Sequence, residues 1–90
     1  MSIHRYAAKR DKNEQQIVDA LRQVGATVTT ISGMGIGDLL VGFRGNNFLL
    51  EVKAKRGSLT TAQREFRERW QGQYAVCRTD IQALEAIGAI

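Results

Sequence analysis

The chain has 90 residues, 43% hydrophobic and 24% charged, enough for one small domain with a single core. Thirteen Lys and Arg against nine Asp and Glu leave a net charge of +4, which favours an anionic partner, nucleic acid first. A lone cysteine, Cys77, excludes an internal disulfide, a lone histidine, His4, excludes a Cys/His zinc site with it, and no apolar run approaches the ~20 residues of a membrane span.

Residues 1–12 are polar and basic, with His4, Arg5, Lys9, Arg10 and Lys12. They read as an N-terminal arm preceding one domain over 13–90. No leader-like apolar core stands at the N-terminus, so a cytoplasmic setting is expected. From Asn13 the pattern turns helical: Ile17, Val18, Leu21 and Val24 recur at helical spacing, Asn13 can cap, and Gly25 stops the run. Glu14 falls in the first turn, where the helix dipole alone favours a carboxylate. Residues 26–31 alternate as a strand. The following loop holds Gly33, Gly35 and Gly37 but leads into a strand, which argues against a nucleotide cradle and for a backbone that lets a substrate come close to Asp38.

Residues 37–53 read as a β-hairpin, two apolar runs around a Gly45-Asn46-Asn47 turn. Its charges are unusual for paired strands. Asp38 opens the first strand, and Glu51 and Lys53, two residues apart, leave one face at the end of the second. If the strands pair, Asp38 and Glu51 lie across from each other. Two carboxylates beside a lysine make a site for a hard divalent cation, with the lysine placed to touch a water or a phosphate.

Lys55 and Arg56 lie in a basic turn, and Ser58, Thr60 or Thr61 can cap a second helix running to about residue 71. Leu59, Ala62, Phe66 and Trp70 form its apolar stripe, Phe66 and Trp70 being read as core, with Gln63 and Arg67 beside it. Residues 73–77 make a short strand, and Thr79 or Asp80 caps a third helix through Ile87. The order is α-β-β-β-α-β-α, one mixed sheet with helices packed on it.

Asp38 followed by Glu51-Val52-Lys53, in this element order, resembles the PD-(D/E)xK nuclease superfamily. More narrowly, residues 55–66 resemble the segment after the lysine in VRR-NUC domains, small nuclease modules that include stand-alone phage-encoded forms similar to Holliday-junction resolvases. Gly37 stands where the superfamily motif has proline. The resemblance implies a restriction-endonuclease-like α/β core with a mixed central sheet flanked by helices. It also implies Mg²⁺ or Mn²⁺ held by Asp38, Glu51 and the Val52 carbonyl, with Lys53 orienting a water. Gln63 would complete the site from the second helix, and Glu14 would be an outer or second-metal ligand. DNA contacts are expected from Lys9, Arg10, Lys12, Lys55 and Arg56, which flank the motif in sequence.

Three functions fit the residues. One is a metal-dependent endonuclease acting on branched or distorted DNA in a bacterium or phage-infected cell, as a homodimer because one chain carries one motif. The second is a non-catalytic nucleic-acid-binding module on the same fold. The third is a small structural protein with an incidental basic surface. The intact Asp38, Glu51 and Lys53 favour the first.

Overall fold

Ile17, Val18 and Leu21 share one side of a helix, and in the computed structural model, which describes residues 12–32 and 35–90, they form the buried stripe of α1 (Glu14–Gln23). The chain continues through β1 (Thr27–Thr30), β2 (Leu39–Phe43), β3 (Asn46–Val52), α2 (Thr61–Arg69), β4 (Tyr74–Cys77) and α3 (Asp80–Ala86). The four strands form one sheet in the order β1-β2-β3-β4. The first three are antiparallel neighbours, and β4 joins β3 in parallel after the α2 crossover. This is the mixed-sheet, restriction-endonuclease-like order expected from the sequence. Among the described residues no helix is long and apolar enough to cross a membrane.

The hairpin turn begins one residue earlier, and ends two earlier, than the sequence indicated. Phe43 pairs with Asn46, so Arg44 and Gly45 alone make the turn and Asn46 and Asn47 belong to β3. Both turn residues have positive φ, 52° and 81°, the type I′ geometry whose twist matches the flanking strands. Gly45 adopts it without cost, whereas Arg44 is uncommon there, which is why the sequence misplaced the turn.

Strand alternation and the pairing register sort the sheet into two faces. One presents Val28, Leu39, Val41, Phe48, Leu50, Val52 and Cys77, all buried, and α1 and α3 close over it. Ile87 is buried in this same core, so the C-terminal apolar residues partly complete the single chain instead of all remaining for a partner. The opposite face presents Leu40, Leu49, Glu51, Tyr74 and Val76 by register, and α2 lies against part of it. Of the α2 residues only Phe66 is buried. Trp70, expected in the core, is 43% exposed and stacks on Phe66 at 5.3 Å between ring centroids. Among the described residues no second layer covers α2, so its apolar stripe is buried only where it meets the sheet.

The glycine loop serves this packing. A Cβ on Gly35 would lie 2.9 Å from the Ala62 carbonyl oxygen, so only glycine lets the loop pass under the start of α2. The sequence assigned that close approach to a substrate; at Gly35 it is made by the protein's own helix. Gly33 lies outside the described residues, as do Lys9, Arg10 and the rest of 1–11.

Candidate active site at the end of the β2–β3 ladder

Asp38 precedes β2 and brackets Glu51 on the neighbouring strand. Its backbone N–H donates to the Leu50 carbonyl at 2.8 Å, and its Oδ2 accepts from the Val52 N–H at 2.7 Å. The carbonyl of Asp38 in turn accepts from Ile31 at 2.9 Å. The carboxylate therefore caps the end of the ladder and is fixed beside Glu51 by the residues on either side of it.

Glu51 is 2% exposed. A buried carboxylate is costly unless its oxygens are engaged, and Glu51 Oε2 accepts from Gln63 Nε2 at 3.0 Å. The start of α2 aims that amide. Thr60 is the cap: its Oγ1 accepts from the Gln63 N–H at 3.2 Å, while Gln63 Oε1 accepts from the Thr60 N–H at 2.8 Å. This is a capping box. One end of the Gln63 side chain closes the helix start and the other holds the carboxylate.

Lys53, half-buried, is fixed through its backbone. Its N–H donates to the Cys77 carbonyl at 3.0 Å, and its carbonyl accepts from Asn13 Nδ2 at 3.0 Å. The same amide donates to the Arg78 carbonyl at 2.9 Å. Asn13 makes no side-chain cap to its own helix; the sequence read it as a cap, and it instead ties the start of α1 to the ends of β3 and β4. Arg78 Nη1 donates to the carbonyls of Ala54 at 2.7 Å and Gly57 at 2.6 Å, pinning the turn in which Lys55 and Arg56 are exposed, two and three residues after Lys53. Lys12 is also exposed, one residue before Asn13.

Glu14 follows Asn13, whose amide bridges those strand ends, and opens α1. It is 8% exposed, more buried than a dipole-complementing surface acid needs to be. Among the described residues no three Asp, Glu, His or Cys side chains form a group that could hold a metal ion. The donors gathered around Glu51 are nonetheless all oxygen: two carboxylates, with the Val52 carbonyl between Glu51 and Lys53 in the chain. That set fits Mg²⁺ or Mn²⁺, which are commonly held by one or two carboxylates and complete their shell with water or phosphate oxygens.

Tyr74 was not singled out from the sequence. The β3–β4 register pairs it with Leu49, two residues before Glu51, so its ring shares a face with that carboxylate. Phe66 packs against it at 5.8 Å between centroids. Its hydroxyl is buried, with no hydrogen-bond partner among the described residues. Burial, reinforced by the charges of Glu51 and Asp38 and opposed by Arg67, pushes the phenol up to about 12. It is therefore a neutral donor throughout the working pH range.

No family model matches the chain, and no curated protein matches it. A solved structure described as a "VRR_NUC domain" is similar over 86% of this chain and 96% of its own, with a TM-score of 0.69 and 22% sequence identity. The chain has a VRR-NUC-like fold.

Proposed function

We propose that this protein is a metal-dependent endonuclease that hydrolyses DNA phosphodiester bonds. The observation that carries the reading is Glu51: a carboxylate 2% exposed, held by Gln63 and bracketed by Asp38, at the end of a ladder that also carries Lys53. The fold shared with a VRR-NUC structure supports it. In this reading Asp38, Glu51 and the Val52 carbonyl would hold Mg²⁺ or Mn²⁺, and Glu14, which forms no three-carboxylate group with them, would act only as an outer ligand. The cation supplies Lewis-acid activation of the phosphate and of a water. Lys53 orients that water and stabilises the negative charge that develops on the non-bridging oxygens. The water oxygen bonds to phosphorus, the bond to one ester oxygen breaks, and that oxygen leaves with a proton. Gln63 keeps Glu51 in place while this happens.

Lys12, Lys55 and Arg56 are exposed beside the strand ends and supply phosphate contacts, which position the strand without reading its sequence. Branched DNA is the favoured substrate, and two chains related by a two-fold would incise both strands. Ile81 and Ile90, 52% and 66% exposed, are the apolar surface available for that pairing.

The test is incubation of the pure protein with plasmid, duplex, flap and four-way-junction DNA, with Mg²⁺, Mn²⁺, Ca²⁺ or excess EDTA. Cleavage with Mg²⁺ or Mn²⁺, and none with Ca²⁺ or chelator, is expected, with the junction cut fastest. Binding without cleavage in every metal would leave a non-catalytic nucleic-acid module. Sedimentation with and without junction DNA tests the pairing, and a monomer in both refutes it.

A further inference from the structure

Gln63, Phe66 and Trp70 follow one another at helical spacing and so share one side of α2. The first two are engaged inside the protein. Gln63 holds Glu51, and Phe66 is buried with its ring 5.8 Å from that of Tyr74. Trp70 lies just beyond the last turn. It stacks on Phe66 at 5.3 Å with 20° between the rings, an offset arrangement, yet stays 43% exposed. The chain leaves the helix in a way that keeps the indole there. A Cβ on Gly72 would lie 2.7 Å from its Nε1, 2.9 Å from Cε2 and 3.0 Å from Cζ2, so any other residue at 72 would displace the ring. Three aromatic rings, Tyr74, Phe66 and Trp70, thus run from the Glu51 face of the sheet out to solvent.

We infer that Trp70 is a stacking platform for an unpaired nucleobase. The charge around the ring selects that occupant. Arg67 and Arg69 stand exposed in the last turn of α2, against Glu68 alone, and Arg69 lies over the Phe66 ring at 5.4 Å. Aromatic rings interleaved with arginine suit a strand that offers flat bases on an anionic backbone. A second copy of this chain, itself at +4, would bring like charges together. Trp70 is seven residues from Gln63, roughly 10 Å along the helix, or about three stacked nucleotides. A strand with a phosphate at the carboxylates therefore reaches Trp70 with a base about three positions away. That phosphate rests on the proposed function; the stacking does not.

Trp70 is the chain's one tryptophan, so indole fluorescence reports on this ring alone. The full chain is titrated in EDTA, over a NaCl series, with oligothymidylate and with an abasic strand of equal length and charge. Oligothymidylate should quench the indole and bind more tightly than the abasic strand. Trp70→Ala should bind oligothymidylate about fivefold to 150-fold more weakly. Its log–log salt slope should stay parental, because no charge is lost, and so should its binding of the abasic strand. Trp70→Phe, with a smaller ring, should fall between the two. Gly72→Ala should show the same loss with altered indole emission in the free protein, since the ring is pushed aside and no aromatic is removed. Melting of each variant is followed alongside. A Trp70 that only shields Phe66 would lower the melting midpoint of Trp70→Ala and weaken both strands alike, which overturns the platform. Equal quenching by the two strands in the parent also overturns it. So does indole emission that shifts with protein concentration in the absence of DNA, which would place a second copy on the ring. Cleavage with Mg²⁺ is assayed separately. Quenching by oligothymidylate in a parent that cuts no DNA refutes the nuclease reading alone, and cleavage by a parent whose indole responds to neither strand refutes the platform alone.

Discussion

Leu50 and Glu51 are chain neighbours, both buried, and they point to opposite faces of one sheet. On the side of Leu50 the sheet meets α1 and α3 across a continuous apolar core. On the side of Glu51 it meets α2, which buries only Phe66 and spends Gln63 on a carboxylate. The first face is built by area and close packing. The second holds a charge out of water, leaves a phenol hydroxyl unpartnered and exposes Trp70, each unfavourable on its own. Stability concentrated on one face allows the other to be arranged for chemistry.

The sharpest way to break that contrast is to change the two neighbours separately. Leu50→Ala should cost about 2–5 kcal/mol in chemical denaturation, a large share of the stability of a small domain. Glu51→Gln should leave the midpoint unchanged or raise it, because a buried charge disappears, yet lower cleavage by at least about a hundredfold. If both variants unfold alike, the faces do not divide these roles.

A smaller effect separates the two uses of Gln63. Thr60→Ala removes the cap and should cost about 1 kcal/mol while the bond to Glu51 survives. Gln63→Ala should cost a similar amount and also lower cleavage about tenfold to a hundredfold, as loss of a group that orients a metal ligand does. Equal turnover in the two variants would mean that Gln63 only caps its helix.

The smallest effects come with pH. Burial on the core face pushes the Cys77 thiol up from 9.0 to about 11, and Tyr74 on the other face rises from 10.0 to about 12. Both groups keep their protons in the folded chain where the unfolded chain loses them. The stability they contribute is thus fully present below pH 9 for Cys77 and pH 10 for Tyr74, and is lost as pH rises through the folded values. Thermal midpoints should fall across that window, and Tyr74→Phe should flatten the upper part of the fall. At neutral pH Cys77 should resist alkylation until the chain unfolds.

The core face was legible from the sequence because its signals are local: Ile17, Val18 and Leu21 at helical spacing, and alternation along β2. The element order follows from the same periodicities. Adjacency of Asp38 and Glu51 could be reasoned from hairpin pairing alone, and the ladder places them so even though the turn is shorter and begins one residue earlier than expected. What escaped the sequence depends on contacts distant in the chain. Tyr74 reaches the site only through the parallel pairing with β3. Asn13 looks like a helix cap until its amide is seen bridging residues 53 and 78. Trp70 looks apolar enough for a core, but whether a second layer covers α2 is not written in the local spacing.

The strand order also has a consequence in time. β1, β2 and β3 are neighbours both in the chain and in the sheet, whereas β4 joins only after α2 has been laid down. Sequence-local pairings close fastest, and parallel pairing across a crossover waits on a larger loop. During refolding the strands bearing Asp38 and Glu51 should therefore come together before Gln63 and Tyr74 join them. Pulse-labelled hydrogen exchange reads that sequence of events. Protection of the Leu49 and Leu50 amides ahead of those in β4 would show it, and simultaneous protection would mean that the carboxylates and their cover form in one step.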